Sequence, residues 1–181
     1  MIYYTMTTYT GKCFDPMEMV PGDAEIEDIA HSLSLLCRGG GHLKYFYTVA
    51  QHCLNCANEA AARGWTQRLV LACLLHDASE AYISDIIRPV KRHLTNYLET
   101  EDAIMSVILK RFGLDDLSDE ENRMWKQVDD EMLENELKLM LAGYEDSVPP
   151  KLSSVPDLEE HPHAETEQRF LELAKRLTGQ I

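Results

Sequence analysis

The run Leu69-Val70-Leu71-Ala72-Cys73-Leu74-Leu75 leads directly into His76-Asp77-Ala78-Ser79-Glu80, so the most hydrocarbon-rich stretch of the chain ends in three side chains that handle protons or metals. A segment apolar on nearly every side belongs inside a helical bundle rather than on its surface. A buried carboxylate beside an imidazole is costly unless something pairs with it, and a divalent cation is a partner that both residue types accept. The rest of the chain must then supply further ligands.

With 181 residues, 45% of them hydrophobic and 27% charged, the chain can bury one sizeable core and is short for two. A single domain over residues 1–181 is expected. Seventeen basic residues against 31 acidic ones give a net charge of −14, which repels a polyanion and argues against a nucleic-acid polymer as partner. A small phosphorylated substrate stays compatible if cations gather locally. Five cysteines (Cys13, Cys37, Cys53, Cys56, Cys73), odd in number and mostly set in apolar helical patterns, read as reduced thiols rather than a disulfide framework. Cys53 and Cys56 form a C-x-x-C with no second pair, and read as packed small hydrophobes. Met1 to Thr10 lacks the basic and apolar regions of a signal peptide, and no apolar stretch approaches the ~20 residues that span a bilayer. A soluble, cytoplasmic chain without membrane contact is expected.

The order of elements reads as an all-α bundle after a short irregular N-terminal segment. Following a Tyr/Thr-rich start of β-like composition, Pro21-Gly22-Asp23 marks a turn, and Ile26, Ile29, Ala30, Leu33 and Leu36 take helical spacing until Gly39-Gly40-Gly41. Thr48-Val49-Ala50-Gln51 matches a capping box opening a helix to about Arg63-Gly64, which puts His52 in its first turn. The next helix is expected from Gln67 to about Glu80. Pro89 then breaks the chain; amphipathic segments follow at about Leu94 to Phe112 and from the capping box Ser118-Asp119-Glu120-Glu121 to Gly143. Ser147 to Pro162, with four prolines, reads as a loop before a terminal helix near Glu165 to Leu177.

On an unbroken helix Glu80 lies four residues after His76 and three after Asp77, close to both. In the Ser118 helix, Met124, Trp125, Val128, Met132, Leu139 and Met140 define an apolar stripe. Asp129 and Glu136 lie on or beside it, while Asp130 turns toward the polar side. A core-facing carboxylate wants a cation or donors, so Asp129 is the candidate fourth ligand. Of seven histidines, His52 stands at a helix start, where its ring can turn inward across the bundle. His31 reads as a core or edge histidine, His93 as a loop residue, and His161 and His163 as exposed.

These residues carry a resemblance. The order His52, His76-Asp77 and a distant Asp129 is similar to the H…HD…D signature of the HD-domain metal-dependent phosphohydrolases. Thr48-Val49-Ala50-Gln51-His52, Leu74-Leu75-His76-Asp77-Ala78-Ser79-Glu80 and Asp85-Ile86-Ile87-Arg88-Pro89-Val90-Lys91 resemble blocks of the branch that includes the bacterial 5′-deoxynucleotidases. Similarity also covers Tyr9 to Lys12, Asp28 to His31 and Lys126 to Asp129, so it spans about residues 8 to 140.

The resemblance implies that His52, His76, Asp77 and Asp129 hold one divalent transition metal ion or part of a two-metal site, with Mn, Fe, Co, Ni or Zn all suited to the donor set. It implies a water activated for attack on phosphorus, oriented or deprotonated by Glu80, and an acid at Asp85 that aids catalysis or leaving-group protonation. Because five residues separate Asp85 from Glu80, a bend before Pro89 is needed to bring them together. It also implies a homodimer. Arg88, Lys91 and Arg92 form a basic cluster that reads equally as a substrate-phosphate site and as a solvated loop. The deoxynucleotidases carry an Arg-Trp pair upstream of the first histidine, whereas this chain has Cys37-Arg38-Gly39-Gly40-Gly41-His42. Arg38 stands in for that arginine with the spacing to His52 changed by one residue, no tryptophan accompanies it, and His42 reads either as a substrate donor or as a loop residue.

The expected activity is therefore hydrolysis of a small nucleotide, most simply a nucleoside or deoxynucleoside 5′-monophosphate. The same ligands suit a triphosphohydrolase or a cyclic-nucleotide phosphodiesterase. A non-catalytic nucleotide sensor or interaction module is the alternative of another class.

Overall fold

The computed structural model describes residues 4–179; Met1 to Tyr3, part of the β-like start, lie outside them. The start forms a small antiparallel hairpin, β1 (Met6–Thr7) and β2 (Cys13–Phe14), paired Met6 to Phe14 and Thr7 to Cys13. It is pinned to the first helix because the backbone N–H and hydroxyl of Thr10 donate to the two carboxylate oxygens of buried Asp28 at 2.7 and 2.9 Å. The Pro21-Gly22-Asp23 turn is a single 3₁₀ turn.

The remainder is helical: α1 (Ile26–Leu35), α2 (Val49–Ala62), α3 (Gln67–Leu75), α4 (Glu80–Ile83), α5 (Arg88–Lys91), α6 (Thr95–Arg111), α7 (Asp119–Met140) and α8 (His163–Thr178). The all-α bundle expected from periodicity is what forms. Helix α2 is its axis, packed against α1, α3, α7 and α8. Its residues from Val49 to Ala57 are all buried, so its small side chains (Ala50, Cys53, Cys56, Ala57) let neighbours approach closely on every side. Ile29 and Leu33 of α1, Leu74 and Leu75 of α3, Val128 and Met132 of α7 and Phe170 of α8 close the core around it. All five cysteines are free, and Cys53, Cys56 and Cys73 pack in this core as small hydrophobes.

Helix α3 departs from expectation. It stops at Leu75, and residues 76–79 form tight turns in which Ala78 N–H donates to Leu75 and Glu80 N–H to Asp77, three residues back. A short second helix, α4, then begins at Glu80. Between the two helices the backbone ladder tightens to three-residue steps. Ser84 follows at φ 70°, a left-handed conformation rare outside glycine, and supplies the bend before Pro89 that Asp85 requires. Arg88–Lys91 is a helical turn with Pro89 in its first turn rather than a loop.

Two helix starts bear on the site. Thr48 accepts the Gln51 N–H at 3.1 Å as an N-cap. The reciprocal half of the box is absent, because the Gln51 amide instead donates to the carbonyls of Asp157 and Glu159. Ser118 and Glu121 form the full box at the start of α7. On α7 the buried positions are Val128, Asp129, Met132, Glu136 and Met140, whereas Leu139, counted in the sequence-based stripe, faces solvent. Four-residue steps keep the buried stripe on one line, and position 139 falls to its side.

The segment 151–161 runs along α2 as a strap. Gln51, Asn55 and Glu59, spaced four apart and so stacked on one face, bind its backbone in succession. His161 is held by Asp157 at 2.8 Å rather than exposed, while His163 begins α8 in solvent.

Candidate metal centre

Three parts of the bundle converge on one buried point. His52 comes from the first turn of α2, His76 and Asp77 from the turn that ends α3, and Asp129 from the core face of α7. His52 Nε2 lies 3.3 Å from His76 Nε2, 3.3 Å from Asp129 Oδ1 and 3.9 Å from Asp77 Oδ2. His76 Nε2 lies 3.3 Å from Asp77 Oδ2 and 3.7 Å from Asp129 Oδ1. Donors bound at about 2.1 Å to a common ion sit about 3.0–3.4 Å apart in octahedral or tetrahedral arrangements, so the spacing is that of a ligand set with room for slight contraction.

The second nitrogen of each imidazole is already committed. His76 Nδ1 is 2.8 Å from the Cys73 carbonyl, which can only accept, so Nδ1 carries the proton there. His52 Nδ1 donates to Glu136 Oε1 at 2.6 Å. Both Nε2 lone pairs are thereby turned on the carboxylates, an arrangement that needs a cation or a proton between them. Burial pushes the Asp77 carboxyl up, but the His76 ring and the Arg38 guanidinium outweigh it and hold Asp77 well below the usual range. Asp129 is likewise held low against its burial by the two imidazoles. His76 is raised well above its ordinary value, because Asp77 and Asp129 outweigh a burial that favours the neutral ring.

Among the described residues, sulfur also comes within reach: His52, Cys56 and His76 form one close group, and Cys53, His76 and Asp77 another. Burial pushes both thiols well up, and a protonated thiol is a poor ligand. The carboxylates are the better donors, and the set His₂Asp₂ fits a divalent transition ion.

Arginines and acids form the surroundings. Arg38 donates to Asp77 Oδ2 at 3.0 Å and lies 3.6 Å from Glu136 Oε2, so it is a buried ion-pair partner within the centre. Arg38 gets there because Gly39 and Gly40 take left-handed φ values of 64° and 61° and turn the chain sharply. The ends of the excursion are clamped by Arg38 N–H to the Tyr47 carbonyl and Val49 N–H to the Leu36 carbonyl. Arg88 donates to Asp129 Oδ2 and to Asp130 Oδ1, both at 2.6 Å, leaving Asp129 Oδ1 toward the imidazoles.

Lys91 pairs with Glu101 at 2.5 Å, and its charge is felt at Glu80 and Asp85. Glu80 is buried with Oε2 lacking any hydrogen-bond partner, and burial together with Asp77 and Asp85 pushes it up to about 10. Asp85, half-buried beyond the Ser84 bend, is also raised by its burial. His42 is exposed, caps the glycine turn through its backbone N–H, and has no described contact with the centre.

The roles of two residues were not legible in the sequence. Glu136 lies beside the stripe seven residues after Asp129, a two-turn spacing that places both on one face, but nothing local marked it as the partner of His52. Tyr47, wholly buried, donates to Glu136 Oε1 at 2.7 Å, and only its place one residue before a helix cap hinted at it. The Trp125 ring lies 5.9 Å from that of His76.

A family model described as an HD domain matches residues 42–179. The uncharacterized protein YfdR of Escherichia coli (strain K12) is 42% identical over 107 residues, which are 59% of this chain and 57% of YfdR. The uncharacterized protein RCAP_rcc00048 of Rhodobacter capsulatus is 40% identical over 111 residues, 58% of this chain and 56% of that protein. The matches thus span a little over half the length of these curated relatives. The domain match covers about three quarters of the chain and includes all four convergent donors: the chain belongs to the HD domain family.

Proposed function

We propose that the chain is a metal-dependent phosphohydrolase of a small nucleotide, most simply a nucleoside or deoxynucleoside 5′-monophosphate, with His52, His76, Asp77 and Asp129 holding a divalent transition metal ion. The HD domain match suggests the reaction class. The observation that carries it to these residues is the meeting of two Nε2 lone pairs with two carboxylate oxygens at 3.3–3.9 Å, both Nδ1 positions being occupied. An ion held there supplies Lewis acidity toward a phosphoryl oxygen and makes water acidic near neutral pH.

The chain's own groups then divide the proton work. Burial first, then Asp77 and Asp85, raise Glu80, so neutralising the charge of Asp77 lowers it and eases its ionisation. Its unpartnered Oε2 is the atom we assign to orient the attacking water and take its proton. Asp85, whose carboxyl burial raises, is the acid we assign to protonate the leaving oxygen. Arg88 and Lys91 meet the substrate phosphate by exchanging their present partners Asp130 and Glu101, while Arg38, bound to Asp77 and Glu136, steadies the ligand set. His42 has no part in this scheme.

The test is a panel of nucleoside mono-, di- and triphosphates and cyclic nucleotides assayed with Mn²⁺, Fe²⁺, Co²⁺, Ni²⁺ and Zn²⁺. Release of inorganic phosphate from a monophosphate is expected; tripolyphosphate or a linear monophosphate as product identifies the two neighbouring activities. Nucleotide binding with full metal content and no turnover identifies a sensor. Asp77→Ala and Asp129→Ala are expected to lose both metal and hydrolysis, and normal metal content in both variants overturns the site. The homodimer implied by resemblance is checked by light scattering.

A further inference from the structure

The strap is joined to His52 by hydrogen bonds whose direction is set at the far end. The backbone N–H of Asp157 can only donate, and it meets Asn55 Oδ1 at 2.9 Å. This orients the Asn55 amide. Its Nδ2, also only a donor, lies 2.8 Å from the Asp157 carbonyl and 2.9 Å from the Tyr47 hydroxyl oxygen. Since that oxygen accepts from Asn55, the one hydroxyl proton of Tyr47 is directed to Glu136 Oε1 at 2.7 Å. The same carboxylate oxygen receives His52 Nδ1–H at 2.6 Å. Asn55, Tyr47, Glu136 and His52 are all buried, so no bulk water is at hand there to take a missing partner's place.

We infer that Tyr47 and Asn55 are positioning residues: anchored to the strap backbone, they hold the Glu136 carboxylate in place and, through it, the Nδ1 hydrogen bond and ring plane of His52, and with them the cation affinity of the centre. Its affinity part rests on the metal site proposed above. The described hydrogen bonds of both residues go to Glu136, to each other and to the strap, and to none of the four donors. His76 provides an internal contrast, because its tautomer is fixed by the Cys73 carbonyl alone. Loss of the chain should therefore disturb one imidazole and spare the other.

The experiment uses the full chain, first metal-free with ¹⁵N-labelled histidine, to read the Nδ1–H signal of each ring by NMR, and then titrated with Mn²⁺. In the unaltered protein both rings are expected to show a hydrogen-bonded Nδ1–H. In Tyr47→Phe, which keeps the buried ring, and in Asn55→Ala, the Nδ1–H signal of His52 is expected to shift and broaden as Glu136 loses its anchor, while that of His76 does not change. Mn²⁺ affinity should fall about 10- to 100-fold in each. Because both act through one chain, the double variant should fall little further than the weaker-binding single variant. Ser154→Ala, which loosens the strap at Glu59 instead, should retain the native His52 signal and Mn²⁺ affinity.

An unchanged His52 Nδ1–H signal and unchanged Mn²⁺ affinity in both variants overturn the inference. So does an equal disturbance of His52 and His76, which marks general loosening. If the unaltered protein binds no cation while its His52 signal still responds to Tyr47→Phe, the metal reading falls and the hydrogen-bond relay stands.

Discussion

A carboxyl buried beside two other carboxylates is least costly when neutral. Glu80 is in that position: burial first, then Asp77 and Asp85, push it up to about 10 against an ordinary 4.5. The sign of the consequence follows from proton linkage. Above pH 4.5 the unfolded chain loses the proton that the folded one keeps, so the contribution of Glu80 is fully present below that pH and is lost as pH rises toward the folded value. For the metal-free protein we expect this contribution to make denaturant stability fall between pH 5 and 6.5, and comparison with a variant that cannot ionise separates it from the histidines that titrate at the top of that window. A single proton contributes at most about 1.4 kcal/mol per pH unit. Glu80→Gln, which cannot ionise, should show a flatter profile across that window; equal slopes in the two proteins would remove Glu80 from the list of strained groups. The same variant tests its proposed chemical role, since it should bind metal normally while kcat falls about 100-fold or more.

At the scale of elements, the strap and α2 depend on one another through Glu59. Its carboxylate, wholly buried, accepts the N–H groups of Ser153 and Ser154 and the Ser154 hydroxyl, and pairs with Arg63 at 2.7 Å. Burial alone raises Glu59, but these donors reverse that and bring it down to about 2. A depressed carboxyl stabilises the fold above its unfolded value and loses that contribution as pH falls from about 4.5 toward 2. Glu59→Gln should cost about 2 kcal/mol at neutral pH, read by urea denaturation, and should lessen the acid loss. The contrast with Glu80 shows what a sequence can and cannot reveal.

Both glutamates sit in helices and both are buried, yet strap donors 94 and 95 residues away bring Glu59 down, while burial itself and then carboxylates three and five residues away push Glu80 up. The all-α class and the inward Asp129 were legible, since periodicity depends on neighbours along one helix. The breakpoint at Leu75, the diversion of Gln51 from its capping box to the strap, and the joining of Tyr47 to Glu136 were not. Each depends on where a distant backbone carbonyl or side chain lies, and no local pattern encodes that.

At the scale of the whole molecule, the four convergent donors come from three separate parts of the chain, so whatever binds them ties α2, the end of α3 and α7 together. The centre is acidic in its own right: Asp77, Asp129 and Glu136 are opposed by Arg38 and Arg88, while Glu80 is held neutral. Those two arginines are why the metal-free bundle is expected to fold, and the surplus of lone pairs is why it should gain from a cation. A ligand that binds only the folded state adds about 2.7 kcal/mol at one hundred times its Kd. For a chain of 181 residues, about 2–4 °C of Tm accompanies each kcal/mol, so saturating Mn²⁺ should raise Tm by about 5–10 °C over protein treated with a chelator. Asp129→Asn preserves shape and removes the charge that both imidazoles face, so its Tm should respond little to Mn²⁺. Calorimetry across a Mn²⁺ series checks both proteins, and an equal rise in the variant would mean that the ion binds somewhere other than the junction of the three elements.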